Sequence, residues 1–252
     1  LKLEGIQTYS LGFADSPELD ETPLAQLVAS KWNTEHHEII LNADDLLSEL
    51  DSMIFHLDEP YAGGLPSWFV FKHMAKSVKV ALTGTGGDEL FGNYGKWIPY
   101  VNHKAKIRTI LANLRAGGHV KDFVKFRKAF FYQMYYRHSL KKHLLQPHFY
   151  SNLRPSEKLI ESYWQQAHSC DPRDSIPAID LRIQLPEEFL HMTDRFSMAH
   201  SLEARTPFLD HEFVENILCI PAFQRTNSKQ LKHLLIKAVD YKRKELLKLL
   251  GI

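Results

Sequence analysis

The sequence is poor in cysteine, in long apolar runs and in net charge. Its two cysteines, Cys170 and Cys219, are too few for a disulfide framework and do not form a metal-binding pair, which favours a reducing, cytoplasmic compartment. Because no segment approaches the roughly 18 apolar residues of a membrane span, we expect no membrane partner. The formal net charge of +1 argues against nucleic acid as an obligate partner of the whole surface.

What is present is the composition of a globular protein: 252 residues, of which 44% are hydrophobic and 24% charged. Apolar runs predict strands at Gln7–Phe13, His37–Leu41 and Val78–Leu82, the last of them buried. Helical spacing predicts helices within residues 16–32, over 44–57 and over about 68–77. Strands separated by helices indicate a parallel sheet, with ligand sites beyond the carboxyl ends of the strands. From about residue 100 the strand signals fade, and we expect a mainly helical second half.

The loop TGTGGDE at residues 83–89 lacks two common phosphate-binding fingerprints. It is not a Rossmann loop, because the third glycine and the downstream acid are missing, and it is not a Walker loop, because no GK[ST] follows. Its small residues would still let backbone N–H groups approach an anion, and the adjacent carboxylates of Asp88 and Glu89 could hold Mg²⁺. Taken alone, the loop is explained equally well as a tight turn with solvated acids.

A second unusual segment, DRFSMAHSLEARTPFLDHEFVE at residues 194–215, mixes charged and large apolar residues. This mixture predicts charges that meet partners at the edge of a core, since a single buried charge is costly. For Arg205 we favour a structural ion pair with Asp210 or Glu203 over a catalytic role.

Five stretches in order resemble the synthetase domain of the glutamine-hydrolysing asparagine synthetases. They are TEHHEIIL, LDEPYAGGLPS, LTGTGGDELFGNY, MTDRFSMAHSLEARTPFLDHEFVE and LKHLLIKAV, and together they cover nearly the whole chain. The resemblance implies an α/β fold of the adenine nucleotide alpha hydrolase type, a parallel sheet with flanking helices. Residues 1–100 would be part of the ATP pyrophosphatase core, and residues 101–252 the mainly helical part of the same domain.

By this resemblance, ATP and Mg²⁺ would activate a carboxylate, aspartate in the first instance, as an acyl adenylate that ammonia then converts to an amide. Asp88 would bind Mg²⁺, Lys232 would stabilise the developing charge, and Glu203 and Arg195 would lie near the reacting carboxylate. The ATP phosphates would be lined by Thr83, Gly84, Thr85, Gly86 and Gly87. A pyrophosphate leaving group demands this combination, because its charge must be neutralised by metal and by donors fixed in advance. An oligomer is compatible with the resemblance.

The sequence departs from the family pattern in several places. The SGGxDS loop that precedes Gln7–Phe13 in the family is missing with its strand, and so is the glutaminase domain that would supply ammonia, so we expect a fragment that does not bind ATP productively alone. The family often has an acid at Thr85 and a glycine at Asn93, and it continues with a proline-containing turn after Ala238. Two alternatives therefore stay open: an adenylating relative of the β-lactam synthetase or peptide cyclase type, and a noncatalytic truncated module.

Two further patterns are assigned structural roles. His36 and His37 would point to opposite faces of a strand and so could not chelate one ion together. The segment KDFVKFRKAFFYQMYYRH at residues 121–138 interleaves bases with aromatics, but its aromatic spacing is helical, which favours a core-facing stripe over a nucleic-acid surface.

Overall fold

The computed structural model describes residues 5–16, 18, 20–59, 64–92, 138–167, 172–227 and 230–240, together with 107, 111 and 114. The chain divides into two compact units, each made of two stretches of sequence. Unit 1 comprises Leu1–Thr83 and Glu187–Pro207, and unit 2 comprises Gly84–Pro186 and Phe208–Ile252. The division predicted at residue 100 separates an ATP pyrophosphatase core from a mainly helical part of the same domain. It differs from this division into compact units and stays a prediction.

Unit 1 begins with two parallel strands joined by a helix. Strand β1 (Gln7–Phe13) pairs in register with β2 (Glu35–Leu41), from Gln7 opposite Glu35 to Phe13 opposite Leu41, and α1 (Thr22–Trp32) connects them. A proline in its first turn starts α1, and Asn33, in the left-handed region, ends it. The two adjacent histidines point to opposite faces as predicted: His36 contacts the Thr8 and Ser10 hydroxyls, whereas His37 stacks on Tyr9.

The single helix predicted over residues 44–57 is wrong, because the structure has two helices there. Helix α2 (Ala43–Ser48) starts at a capping box between Asn42 and Asp45, and α3 (Leu50–Leu57) starts again immediately after Glu49. The Glu49 carboxylate accepts hydrogen bonds from Trp68 (3.1 Å) and Lys72 (2.5 Å) of α4 (Leu65–Met74). The interruption between α2 and α3 therefore lies at a residue whose side chain makes long-range contacts.

A second pair of parallel strands completes unit 1. Strand β3 (Val80–Leu82) pairs with β4 (Glu203–Arg205), which follows helix α10 (His191–Ala199). The expected burial of β3 is only partly right: Ala81 is buried, whereas Val80 is 45% and Leu82 71% exposed. One face of this ribbon packs on the core through Ala81 and Ala204, and the other face carries the exposed side chains.

The core of unit 1 lies between β1 and β2, β3 and β4, and the helices α3, α4 and α10. Its buried members include Ile39, Met53, Trp68, Phe196 and Leu202. Gly64, at the start of α4, packs against Phe196 and Met192 so closely that a Cβ there would collide with the ring. The core therefore ties α10 and β4 to helices that are far away in the sequence.

The regular secondary structure in the described residues of unit 2 is helical. Its helices are α5 (Gly87–Phe91), α6 (His138–Leu144), α7 (Pro147–Asn152), α8 (Ser156–Gln166), α9 (Pro172–Asp180), α11 (His211–Leu218) and α12 (Ala222–Arg225), followed by helical residues 233–240. A π-helical stretch (Leu185–Leu190) and a 3-10 turn (Pro207–Leu209) link the units in sequence. Ile160, Ile176, Ile179 and Ala222 form a small core.

Mixed α/β architecture with parallel strands is therefore confirmed, and the described sheets are small ribbons of two strands each. Among the described residues, no helix is long and apolar enough to cross a membrane. Several predictions lie outside the described residues: those on Cys170, Asn93, most of the basic aromatic segment, part of the LDEPYAGGLPS loop and the last twelve residues.

Candidate functional site

The glycine loop follows directly on β3. The Thr83 amide, still in unit 1, donates to the carbonyl of Arg205 (2.8 Å) and so extends the β3–β4 pairing by one bond. From Gly84 onward the chain belongs to unit 2, where the Gly87 amide donates to the Gly84 carbonyl (3.1 Å) and closes a turn. The loop thus lies at the carboxyl end of a parallel strand, as the sequence predicts.

The glycines of the loop differ in what surrounds them. Gly86 has φ +94°, a conformation that favours glycine, and a Cβ there would collide with the side chain of Leu209. At Gly87 a Cβ would meet the ring of Phe208 at 3.4 Å, and at Gly84 it would meet nothing within 4 Å. Gly86 is therefore required by the fold, whereas at Gly84 the fold leaves open space.

Asp88 lies in the first turn of α5 and forms an ion pair with Lys232. Their side chains are 30% and 32% exposed, respectively, so the pair lies at the surface of unit 2 and solvent reaches it. Lys232 has φ +53°, and its carbonyl accepts from the Ile236 amide (3.0 Å) at the start of the helical residues 233–240. The two residues predicted to hold Mg²⁺ and to stabilise developing charge are therefore in contact.

The other end of α5 is held by a buried arginine that the sequence did not single out. The Arg225 side chain is 1% exposed and donates to the carbonyls of Leu90 (2.7 Å) and Ile220 (2.9 Å) and to the Asp174 carboxylate (3.0 Å). Burial lowers the pKa of Arg225, and the hydrogen bond from its guanidinium to Asp174 opposes that shift. A long-range contact of this kind leaves no local pattern in the sequence.

Two of the predicted site residues lie in unit 1, on α10 and β4. Arg195 is an exposed residue of α10, and Glu203 is the first residue of β4. The Glu203 carboxylate accepts a hydrogen bond from Arg205 Nε (2.8 Å), and the two side chains are 56% and 62% exposed. Of the two partners predicted for Arg205, the structure has Glu203; Asp210 instead caps α11 by accepting from the Phe213 amide (3.2 Å). The structural role predicted for the pair stays a prediction.

The donors around Asp88 suit a nucleotide-bound metal better than a protein-only metal centre. Among the described residues there is no group of three or more histidine, cysteine, aspartate or glutamate side chains that could hold an ion. Mg²⁺ in nucleotide sites commonly takes one or two carboxylates and completes its coordination with phosphate and water. A single, partly exposed carboxylate that already attracts a cationic side chain fits that arrangement.

The sequence pattern that defines asparagine synthases matches residues 2–242. The chain belongs to the asparagine synthase family. It is 27% identical over 253 residues to glutamine-hydrolyzing asparagine synthetase 1 of Bacillus subtilis, a match that covers 93% of this chain and 40% of the relative. The match to the glutamine-hydrolyzing asparagine synthetase of Mesocricetus auratus is 24% identical and covers 91% of this chain and 30% of the relative. The chain thus spans two fifths or less of the length of these relatives.

Unit 1 also contains a polar cluster that sequence analysis missed. Glu49 binds Trp68 and Lys72 as described above, and His200, just after α10, contacts the Trp68 ring with centroids 4.3 Å apart. The hydrogen bond from Lys72 lowers the pKa of Glu49. Burial, assisted by Lys72, lowers the pKa of His200, whose buried Nε2 has no hydrogen-bond partner among the described residues. Of its members, His200 is separated from the first residue of β4 by two residues.

Proposed function

We propose that the protein containing this chain catalyses ATP-dependent amide formation of the asparagine synthetase type. In the first step a carboxylate oxygen, from aspartate in the first instance, attacks the α-phosphorus of ATP, so that an acyl adenylate forms and pyrophosphate leaves. In the second step ammonia attacks the acyl carbon and AMP leaves with the electron pair of the broken bond. Ammonia would come from a glutaminase activity of the kind that the names of the relatives state.

The observation that carries this proposal is the contact between Asp88 and Lys232. These residues come from distant motifs of an asparagine synthase pattern that covers nearly the whole chain. A pyrophosphate leaving group needs a metal-binding carboxylate and a cation that neutralises charge as it develops, and both must be fixed before reaction. Mg²⁺, when bound, would supply the first part of that neutralisation, with Asp88 as its protein ligand.

The remaining residues have supporting roles in the proposal. Thr83, Gly84, Thr85, Gly86 and Gly87 would line the phosphates, and the open space at Gly84 is consistent with a backbone that a ligand approaches closely. Glu203 and Arg195 would bind near the acceptor carboxylate. The exposed Glu203–Arg205 pair supports this role, since its groups can exchange partners at little energetic cost.

ATP–pyrophosphate exchange tests the proposal. The natural polypeptide that carries this chain should catalyse Mg²⁺-dependent exchange that requires aspartate, and Asp88→Asn should reduce the exchange rate at least about 100-fold. Asp51→Asn, which makes the same change at an exposed position of α3, is the matched control and should retain exchange. Unchanged exchange in Asp88→Asn at saturating Mg²⁺ would refute the assigned role of Asp88.

Thr85 is the specific observation that favours a second acceptor, because the family often has an acid there. The same exchange assay with other small carboxylates in place of aspartate tests this alternative. Exchange with a different carboxylate alone would assign the same adenylation chemistry to a relative of the β-lactam synthetase or peptide cyclase type. Absence of exchange with every carboxylate would favour a noncatalytic module.

A further inference from the structure

The Asp88–Lys232 pair joins a carboxylate with a proposed metal-binding role to a cation with a proposed charge-stabilising role. The two roles compete in this arrangement, because an ammonium group on Asp88 occupies a position that a metal ion needs. A carboxylate shared between a monovalent side chain and a divalent ion exchanges one for the other as the divalent ion binds, since the divalent charge attracts the carboxylate more strongly.

The backbone around Lys232 favours such an exchange. Its carbonyl is fixed by the Ile236 amide, and its φ of +53° is uncommon for a residue other than glycine, so the fold holds this position firmly. The side chain, in contrast, is a flexible four-carbon stem with three rotatable donors. The ammonium group can therefore leave Asp88 without movement of the helical residues that follow.

We propose that Lys232 is an exchangeable counter-ion, held on Asp88 until a divalent metal with its phosphate ligand displaces it. This inference rests on the proposed function and adds an order of events to it. With a divalent metal held by Asp88, the Lys232 ammonium group would be free to turn toward the reacting phosphate and acyl oxygens. The cation that stabilises the reaction thus becomes available only when the metal site is filled.

The first test measures the affinity of the protein for Mn²⁺. The electron paramagnetic resonance signal reports free Mn²⁺, and the titration is made with and without inorganic pyrophosphate. Without pyrophosphate, Lys232→Met should bind Mn²⁺ about two- to fivefold more tightly than the wild type, the effect expected when a partly exposed competing ion pair is removed. With pyrophosphate this gain should shrink, because the variant also lacks the cation that turns toward the phosphate. Lys232→Arg keeps a cation that can pair with Asp88 and should stay close to wild type. Lys237→Met, which removes the same charge from an exposed position five residues further on, is the matched control.

Amine labelling of the wild-type protein gives a second test that needs no variant. Peptide-level mass spectrometry should show that Mn²⁺ with pyrophosphate increases the labelling rate of Lys232 at least about twofold and leaves that of Lys237 unchanged. Equal labelling with and without metal, or weaker binding of Mn²⁺ alone by Lys232→Met, would overturn the exchange.

The two proposals fail in distinguishable ways. If Asp88→Asn binds Mn²⁺ as tightly as the wild type, or if the wild type binds none even with pyrophosphate, the metal-binding role of Asp88 is wrong and the exchange falls with it. ATP–pyrophosphate exchange by the wild type then tests the amide-forming function separately. If Asp88→Asn loses Mn²⁺ but Lys232→Met behaves like Lys237→Met, the metal assignment stands and only the exchange is refuted.

Discussion

The two ends of α5 are held by ion pairs of opposite character. At its start, Asp88 binds Lys232 with both side chains about one third exposed. At its end, Arg225 is buried, and its guanidinium satisfies two carbonyls and Asp174 at once. A buried cation that makes several hydrogen bonds is costly to remove, whereas a partly exposed pair adds little stability. The comparison indicates that the end of α5 is built to stay in place and its start to change partners.

Removal of the buried cation should have the largest effect. Arg225→Met leaves the Leu90 and Ile220 carbonyls without that donor and removes the charge partner of Asp174, so we expect a loss of about 3 kcal/mol in the free energy of unfolding. Arg205→Met, which removes one partner of an exposed pair, should lose less than about 1 kcal/mol. Urea unfolding of both variants measures the difference. Equal losses of unfolding free energy in the two variants would contradict the distinction between the buried and the exposed ion pair.

Glycine substitutions sharpen the comparison within the loop that leads into α5. Gly86→Ala should destabilise the protein by about 1–3 kcal/mol, because its backbone conformation disfavours a side chain and its Cβ would collide with Leu209. Gly84→Ala should change stability by less than about 0.5 kcal/mol, since its Cβ meets nothing.

Pyrophosphate binding should depend on Gly84, the glycine whose substitution leaves stability nearly unchanged. Gly84→Ala should weaken binding of inorganic pyrophosphate with Mn²⁺ while its melting temperature stays near that of the wild type. A Gly84→Ala variant that binds pyrophosphate like the wild type would remove Gly84 from the phosphate-lining set.

A smaller effect is expected from the polar cluster of unit 1, through pH. The pKa of folded His200 is lowered from its ordinary value of 6.5, so below pH 6.5 the unfolded chain takes up a proton that the folded chain resists. Stability should therefore fall as the pH drops from 6.5 to the lowered pKa. Glu49, lowered from 4.5, should add a further loss as the pH falls below 4.5.

His200→Gln isolates the first of these contributions. Its stability should change less than that of the wild type between pH 6.5 and 5, whereas His233→Gln, on a partly exposed residue of unit 2, should follow the wild-type profile. Thermal unfolding across this range gives the measurement, and parallel profiles for wild type and His200→Gln would contradict the assignment.

Sequence patterns predicted the parts of the fold that depend on local periodicity. Strands β1 and β2 were found because short strand patterns mark them, and the loop before α5 was found because several glycines follow a short apolar run. Strand β4 was missed, since a three-residue strand with Glu203 and Arg205 on its exposed face has no apolar signal. The interruption at Glu49 was missed because the apolar spacing continues across it, and the contacts of Glu49 with Trp68 and Lys72 are distant in sequence.

The candidate site shows the same limit more sharply. Asp88 and Lys232 were singled out through resemblance to a family, and no spacing rule brings residues so distant in sequence together. Arg225 was missed because its importance comes from burial and from carbonyl partners, which composition does not reveal. Local chemistry can be read from residues in order, whereas contacts between distant segments require the fold.

The most direct test of the central claim is a crystal structure of the protein with Mn²⁺ and inorganic pyrophosphate, in which anomalous scattering locates the metal. We predict an anomalous peak about 2.1–2.2 Å from an Asp88 carboxylate oxygen, with the Lys232 ammonium moved off that carboxylate. A metal bound elsewhere, with Asp88 and Lys232 still paired, would contradict the account.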